Sequence, residues 1–448
     1  MLRSFRLGNH RSFRDEHELL LMPTYGNERK VVPVAAVYGA NASGKSNLLD
    51  GLRFMAALVG RWGPREPAPG SGIPRIPFRL SPGSLLEPSV FVVELVLDGV
   101  RHVYGFTVDD ERVREEWLYS YPRGRRRVLF EREGREIDFG STVTQRGKAE
   151  VVESLLTEET LFLSLSARVE LEQYWPVFEW FRSSLLLPGL NSRHWARETD
   201  RRAADFIERS TADRAAYLEL ARAADVGITD IDVEDLSDPR AAAQAALLER
   251  EAAQLEAAHA QASGDRAEEL AHRATLARAR VVIARESRRT SLLLSHGAGG
   301  AAFRLHEESA GTQLWLGLLP ILITCLTEGR TMVIDEIDTS LHPLLVRKLV
   351  GLFREPKTNP GRAQLIFTTH DAFLLAPIAG EAGLDRDQVW FVEKQPDGAS
   401  ALYPLTDFKP RNEHNLARRY LGGSYGAVPF LDDLESLHIP ATRAGDAT

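Results

Sequence analysis

Apolar and polar residues alternate along the first third of the chain and recur with helical spacing further on. Alternating runs over residues 1–38 predict a β-hairpin and a third strand, and two later hairpins turn at Asp98–Gly99 and Glu133–Gly134. Helical patterns dominate residues 148–289, and strands return after them. The pattern predicts an α/β protein with an antiparallel β-subdomain and a helical insertion.

Residues 241–286 carry an Ala-rich apolar seam in two runs, each spaced four, three, four and three residues apart. The seam positions are Ala241, Ala245, Leu248, Ala252, Leu255, Leu270, Ala274, Ala277, Val281 and Ala284. A turn-forming stretch, Gln261–Asp265, separates the runs. The spacing predicts a short antiparallel coiled-coil hairpin with arms of about 30 Å. Two ordinary packed helices are the alternative.

The stretch GANASGKS, residues 39–46, lies between an apolar strand and a helix and fits G-x-x-x-x-G-K-[ST]. Its glycines let backbone N–H groups point at phosphate oxygens, and the helix adds the positive end of its dipole. Lys45 can reach the β- and γ-phosphates, and the Ser46 hydroxyl can ligate Mg²⁺. The stretch predicts a nucleoside triphosphate site. Its expected ATP-binding residues are Gly39, Ala40, Asn41, Ala42, Ser43, Gly44, Lys45, Ser46 and Asn47.

A second apolar strand, TMVIDEID at residues 331–338, ends in carboxylates. We expect it to lie directly beside the strand that leads into the phosphate loop. Asp335 is then placed to hold Mg²⁺ together with Ser46, and Glu336 to polarise the attacking water as the catalytic base. A third strand, AQLIFTTHD, ends at His370, which can contact the γ-phosphate and the water. A polar strand end without a role is the alternative for this histidine.

A further apolar helix is predicted after ESAGTQ, residues 308–313. Small residues at a helix start can bind an anion, and a plain helix cap by Ser309 or Thr312 is the alternative. The four motifs occur in the order phosphate loop, small-residue helix start, acid pair and histidine. This order favours the anion site over the plain cap.

Composition narrows the classes of function. The formal charge of −8 argues against a protein that coats nucleic acid, so any DNA contact would be a local basic patch. Arg123–Arg127 is a candidate for such a patch. A solvated hairpin tip is the simpler interpretation of these arginines. The single cysteine, Cys325, excludes an internal disulfide framework and is expected in the core. The apolar run Leu314–Leu326 is too short to span a bilayer, and the charged N-terminus does not resemble a signal peptide. We therefore expect a cytoplasmic protein without a membrane contact.

The order of the motifs resembles the ABC-type ATPase head of SMC-like, RecF-like and OLD-like proteins. In that family two heads pack so that each ATP lies between the phosphate loop of one copy and the signature helix of the other. The resemblance implies ATP hydrolysis with Mg²⁺ by a homodimer or higher homo-oligomer. It also implies that Ser309, Gly311 and Thr312 act in trans as the signature, and that His370 is the switch histidine.

The signature of this chain departs from the LSGGQ pattern of the family. Glu308 stands for the Leu, Ala310 for the first Gly and Thr312 for the Gln, while the Ser and the second Gly are kept. His342 stands in the predicted dimer-crossing loop, where transporters have Asp.

The ends of the chain, NHRSFRDEHELLL and DFKPRNEHNLARRYLGGSYGAVPFL, are similar to bacterial stand-alone ATPases of phage defence, including the ATPase partners of AbiL-type and PARIS-type systems. This resemblance implies a scaffold or sensor that controls a separately encoded nuclease-like effector. A RecF- or SMC-like DNA-repair ATPase is the main alternative, which the short hairpin and the acidic balance disfavour. A transporter ATPase is the weakest of the three hypotheses, because the β-hairpin and helical insertions have no evident use in transport.

The resemblance divides the chain into three predicted units. Residues 1–147 form an N-terminal ATPase lobe with the β-subdomain, residues 148–290 the helical insertion, and residues 291–448 a C-terminal ATPase lobe. Glu393, after the strand in VWFVEKQPDG, resembles the opening of a Toprim nuclease core. The only nearby acid pair, Asp432–Asp433, has the wrong spacing for the second Toprim motif, so we do not expect an on-chain nuclease.

Overall fold

The structure is a computed structural model. It describes residues 1–24, 31–60, 72–169, 171–190, 193–224, 227–236, 239–262, 265–286, 290–297, 301–339, 341–377, 382–410 and 415–429. The strands in these ranges are β1 Leu2–Gly8, β2 His17–Leu20, β3 Val34–Tyr38, β4 Ser89–Leu97, β5 Val100–Val108, β6 Val113–Tyr121, β7 Arg127–Glu133, β8 Glu136–Phe139, β9 Leu185–Leu186, β10 Ile228–Asp235, β11 Thr290–His296, β12 Ala301–Arg304, β13 Thr331–Ile334, β14 Gln364–Thr369, β15 Val389–Lys394 and β16 Ser400–Pro404.

The helices in the same ranges are α1 Lys45–Val59, α2 Arg146–Ser154, α3 Phe162–Ser166, α4 Trp175–Glu179, α5 Arg193–Ile207, α6 Thr211–Ala223, α7 Pro239–Ala260, α8 Asp265–Glu286, α9 Ala310–Glu328, α10 Pro343–Arg354 and α11 Leu416–Leu421. A single π-helical turn, Trp180–Ser184, continues α4. Short 3₁₀ turns join several of the other elements.

A six-stranded sheet in the order β16-β15-β3-β14-β13-β9 forms the centre of the molecule. Its strands are parallel except for β16, which pairs with β15 in the antiparallel sense. One hydrophobic cluster covers the face that packs against α1, and a second covers the face that packs against α9 and α10. The α/β class is confirmed.

The expectation that the acid-bearing strand lies directly beside the strand of the phosphate loop is wrong. β14 lies between them and pairs with β3 on one side and β13 on the other. The connection from β13 passes through α10 and returns the chain to the position between the two strands. All three strands are parallel, so their carboxyl ends still meet at one edge of the sheet.

The antiparallel β-subdomain is one sheet in the order β2-β1-β4-β5-β6-β7-β8. Its turn at Asp98–Gly99 has positive φ at both residues, 48° and 78°, as a tight hairpin turn requires. Glu116 and Arg132 form an ion pair with both side chains fully buried, at 3.3 Å between Oε2 and Nη1. Glu116 also accepts the backbone N–H groups of Phe162 and Leu163, which ties this sheet to α3.

The predicted helical hairpin is present as α7 and α8. Ala252, Ala277 and Val281 are buried where the two arms pack against each other, and Arg278 pairs with Glu256 across them at 2.7 Å. The hairpin lies between β10 and β11 in the chain, and these strands belong to an antiparallel sheet in the order β10-β11-β12. The sequence pattern missed β10 because three acids, Asp230, Asp232 and Glu234, alternate along one of its faces, and missed β9 because it is two residues long.

α9 is longer than the predicted apolar run and passes through the core. It has the length and hydropathy of a membrane span, but 61% of its most apolar window is buried inside the protein. Leu316, Leu318 and Leu319 are fully buried, so the helix packs in the protein core. Cys325 is also fully buried in this core, as predicted.

Candidate functional site

The phosphate loop lies between β3 and α1 and closes around its own lysine. Ala42 and Gly44 have positive φ, 60° and 115°, so the loop curls within a few residues. A side chain at Gly39 would place its Cβ 2.4 Å from the Val392 carbonyl oxygen. Lys45 Nζ donates to the Gly39 and Ala40 carbonyl oxygens at 2.8 and 3.0 Å. Burial lowers the pKa of Lys45, and the nearby carboxylates oppose that shift.

Ser46 and Asp335 lie side by side, with 3.1 Å between Oγ and Oδ1. Two oxygens bound at right angles to one Mg²⁺, each at about 2.0–2.1 Å, lie about 2.9 Å apart. The pair therefore fits neighbouring positions of an Mg²⁺ shell. Within the described ranges, no cluster of three or more His, Cys, Asp or Glu side chains is arranged to hold a metal alone.

Thr368 joins the two acids, and the sequence analysis gave it no role. Its fully buried Oγ1 donates to Asp335 Oδ1 and accepts the Glu336 backbone N–H, each at 2.6 Å. Since β14 lies between β3 and β13, its last residues are the natural support for acids at the end of β13. A threonine one residue inside the end of an apolar strand was the only pattern that could have indicated this.

Glu336 has a left-handed backbone, with φ of 52°. Such a conformation is strained for a residue with a side chain and persists only where its surroundings hold it. The bond to Thr368 holds its N–H, and Thr339 donates from Oγ1 to Glu336 Oε2 at 3.3 Å. These contacts direct the Glu336 carboxylate away from the path of its strand.

His370 follows β14 and faces the phosphate loop. Its backbone N–H donates to Asp338 Oδ2 at 3.1 Å. Burial and then the Lys45 ammonium lower the pKa of His370, which favours the neutral imidazole. Among the residues that the structure describes, the other carboxylate oxygen of Asp338 is buried without a hydrogen-bond partner. Asp338 is a second residue that the sequence analysis missed.

The family described as "AAA domain, putative AbiEii toxin, Type IV TA system" matches residues 34–376, more than three quarters of the chain. The chain belongs to this family. The matched range starts with β3 and ends six residues after His370, so it contains the phosphate loop, both acids and the histidine. A phosphate loop that joins β3 of a parallel sheet to α1 is the arrangement of a P-loop ATPase. No curated protein matched the sequence.

Solved structures with a similar fold are heads of SMC proteins. One is an Smc head bound to the C-terminal winged-helix domain of ScpA, 12% identical, with a TM-score of 0.43 over 91% of this chain and 99% of that one. The second is an Smc head with an extended coiled coil, bound to the C-terminal domain of ScpA, from Pyrococcus furiosus. It is 12% identical with a TM-score of 0.39 over 91% and 97% of the two chains. The third is an Smc head domain with a coiled coil and joint from Pyrococcus yayanosii. It is 13% identical, with a TM-score of 0.34 over 91% of this chain and 99% of that one.

The predicted signature of the AAA domain lies at the start of α9. Ser309 is the helix cap, and its Oγ accepts the Thr312 N–H at 3.2 Å and lies 2.9 Å from Thr312 Oγ1. Within the described residues, no hydrogen bond joins Ser309, Gly311 or Thr312 to the phosphate loop of the same chain. His342 caps α10 in a similar way, since its Nδ1 accepts the Leu344 N–H at 3.2 Å.

Glu393 accepts hydrogen bonds that hold the fold together. It accepts the Tyr403 hydroxyl at 3.2 Å and the Ala427 N–H at 3.3 Å, and so fixes the segment after α11 to the end of β15. Asp432–Asp433 lies outside the described residues.

In the basic hairpin tip, residues Arg123–Arg127, Arg126 lies 3.9 Å above the ring of Tyr119, and Arg127 donates to the Thr142 carbonyl oxygen at 2.7 Å. These contacts fit the solvated-tip interpretation.

Proposed function

We propose that this AAA domain binds and hydrolyses ATP with Mg²⁺. The observation that carries the proposal is the convergence of Lys45, Ser46, Asp335 and Glu336 at one edge of the central sheet, with Ser46 and Asp335 oxygens 3.1 Å apart. Lys45 would bind the phosphates, and Ser46 and Asp335 would hold Mg²⁺, which offsets charge on the transferred phosphoryl group. Glu336 would take the proton of the attacking water, and His370 would contact the γ-phosphate.

Two variants test this assignment. Lys45→Ala is expected to abolish ATP binding, whereas Glu336→Gln is expected to bind ATP and accumulate as an ATP-bound dimer without turnover. Binding is measured by equilibrium titration, turnover by phosphate release, and assembly by light scattering. Hydrolysis at the wild-type rate by Glu336→Gln would show that Glu336 is not the base.

We further propose that two copies complete each site, with Ser309, Gly311 and Thr312 of one copy closing on the ATP of the other. A mixture of Lys45→Ala and Ser309→Ala chains tests this, because the mixed dimer pairs an intact loop with an intact signature at one site. Random pairing of two inactive variants restores about a quarter of the wild-type rate in a symmetric dimer. No recovery after mixing would place the signature residues outside the reaction.

The biological role that we propose is a cytoplasmic ATPase scaffold or sensor of bacterial phage defence, which controls a separately encoded nuclease-like effector. The family description names a putative toxin of a type IV toxin–antitoxin system, which supports the part of the proposal that gives the chain a role in a toxin or defence system. Purification of the tagged chain together with the product of the neighbouring gene tests it. A RecF- or SMC-like role in DNA repair would instead give ATP-dependent binding to duplex DNA that weakens steeply with salt.

A further inference from the structure

Two serines outside the family-matched range reach the phosphate loop from opposite ends of the chain. Ser12 lies in the turn between β1 and β2, and Ser400 is the first residue of β16. Their exposed fractions are 7% and 1%, so neither hydroxyl is a surface group. The Ser400 N–H donates to the Ser12 carbonyl oxygen at 2.7 Å, and Arg14 pairs with Asp397 at 2.6 Å beside it. The two segments are therefore fixed to each other.

The serine hydroxyls join Ser43 of the phosphate-loop motif to Asn47, the residue directly after the motif. Asn47 Nδ2 donates to Ser12 Oγ at 2.7 Å, the Ser12 and Ser400 Oγ atoms lie 2.8 Å apart, and Ser400 Oγ bonds the Ser43 carbonyl oxygen. A carbonyl oxygen only accepts, so the single Ser400 hydroxyl proton goes to Ser43. Ser400 Oγ must then accept the Ser12 proton. The chain of hydrogen bonds has one direction, from Asn47 through both serines to the loop.

This chain sets the direction of a backbone N–H. In a trans peptide the carbonyl and the N–H of one unit point in opposite directions. Ser400 holds the Ser43 carbonyl toward the outside of the loop, and this turns the Gly44 N–H to the inside. Inward N–H groups are what a phosphate loop offers to phosphate oxygens.

Gly44 packs closely against the same two hydroxyls, which leave no room for a side chain at this position. A Cβ at this position would lie 2.3 Å from Ser400 Oγ and 2.6 Å from Ser12 Oγ. With φ of 115° its backbone is also in a region that favours glycine. The loop conformation and the serine pair therefore depend on each other.

We propose that Ser12 and Ser400 are positioning residues of the nucleotide site, which act by holding the Ser43 carbonyl outward. The inference rests on the proposed ATP binding and extends it to the C-terminal hairpin of β15 and β16. It makes ATP affinity dependent on how that hairpin is seated against the N-terminal turn.

The test is a cycle of Ser12→Ala, Ser400→Ala and the double variant, with Kd measured for a fluorescent ATP analogue. Loss of one bond in the chain is expected to weaken binding about five- to tenfold. Because the bonds are in series, the double variant should bind no more than about twofold more weakly than the weaker single variant. The KM for ATP should rise while kcat at saturating ATP stays unchanged.

Ser166→Ala is the matched control, because Ser166 is 1% exposed and its hydroxyl donates only to the local Leu163 carbonyl oxygen at 2.7 Å. It should lose similar stability to thermal unfolding and keep the wild-type Kd. Wild-type affinity in Ser12→Ala and Ser400→Ala, or full additivity in the double variant, would overturn the inference. A wild-type protein that does not bind the analogue would instead overturn the proposed function.

Discussion

Thr368→Val is the change that tests the acid site most directly. Valine keeps the branched shape in a fully buried position and removes only the hydroxyl. That hydroxyl makes two bonds of 2.6 Å, one to the Asp335 carboxylate and one from the Glu336 backbone N–H. The variant leaves the Glu336 N–H without this acceptor, and Asp335 Oδ1 loses its shorter bond while it keeps the one from Ser46 Oγ at 3.1 Å.

The expected loss of stability follows from these two bonds. A hydrogen bond to a charged group contributes about 1.5–3 kcal/mol, and a buried N–H without an acceptor costs about 1–3 kcal/mol. Since the two contributions overlap, we expect the free energy of unfolding to fall by about 2–5 kcal/mol. Thr331→Val is the matched control. Thr331 is 1% exposed on the neighbouring strand, and its hydroxyl makes one neutral bond, to Gln364 at 3.3 Å.

The expected loss of activity has a separate cause. Without Thr368 the strained backbone of Glu336 can relax, and a displacement of about 1 Å can cost on the order of 100-fold in rate. Thr368→Val should therefore lose about 100-fold in kcat while its ATP affinity without Mg²⁺ stays within about threefold of the wild type. Urea unfolding and phosphate release measure the two effects. If Thr368→Val matched Thr331→Val in both assays, the support that we assign to Thr368 would be refuted.

Two further predictions concern groups close to this site and in the core. Asp338→Ala removes the acceptor of the His370 N–H and should lower turnover about tenfold. Asp338→Asn keeps an oxygen at that place, so its turnover should stay within about threefold of the wild type. Equal turnover in the two variants would contradict the positioning role of Asp338. Burial raises the pKa of Cys325 to about 12, so a thiol reagent at pH 8 should leave the native protein unlabelled and label one thiol per chain after unfolding. Rapid native labelling would mean that α9 opens.

The residues that sequence could predict are those whose chemistry is local. The phosphate loop is a contiguous motif between a strand and a helix, and the heptad seam of α7 and α8 repeats within one segment. In both cases the pattern carries its own geometry. The strand order was beyond this reasoning, because a parallel strand can insert between two others without any change in its own sequence.

The same limit explains the missed supporting residues. Thr368 and Asp335 are 33 residues apart, and Ser400 and Ser43 are 357 residues apart. A serine or threonine has no distinctive local pattern when its partner is a carbonyl or carboxylate on another element. Sequence thus predicts the groups that would contact ATP, and the fold adds the ones that hold them in place.

The length of α9 supports the proposal that a second copy completes the site. α9 has 19 residues and spans about 28 Å, while β13 has four and spans about 13 Å. Gly329 and Arg330 alone join them, and α9 packs on the sheet, so the helix runs back roughly antiparallel to the strand. The start of α9 then lies about 15 Å beyond the level of Asp335. A capped helix start that projects past the edge where the phosphate loop lies is what we would expect if it meets the ATP of a second copy.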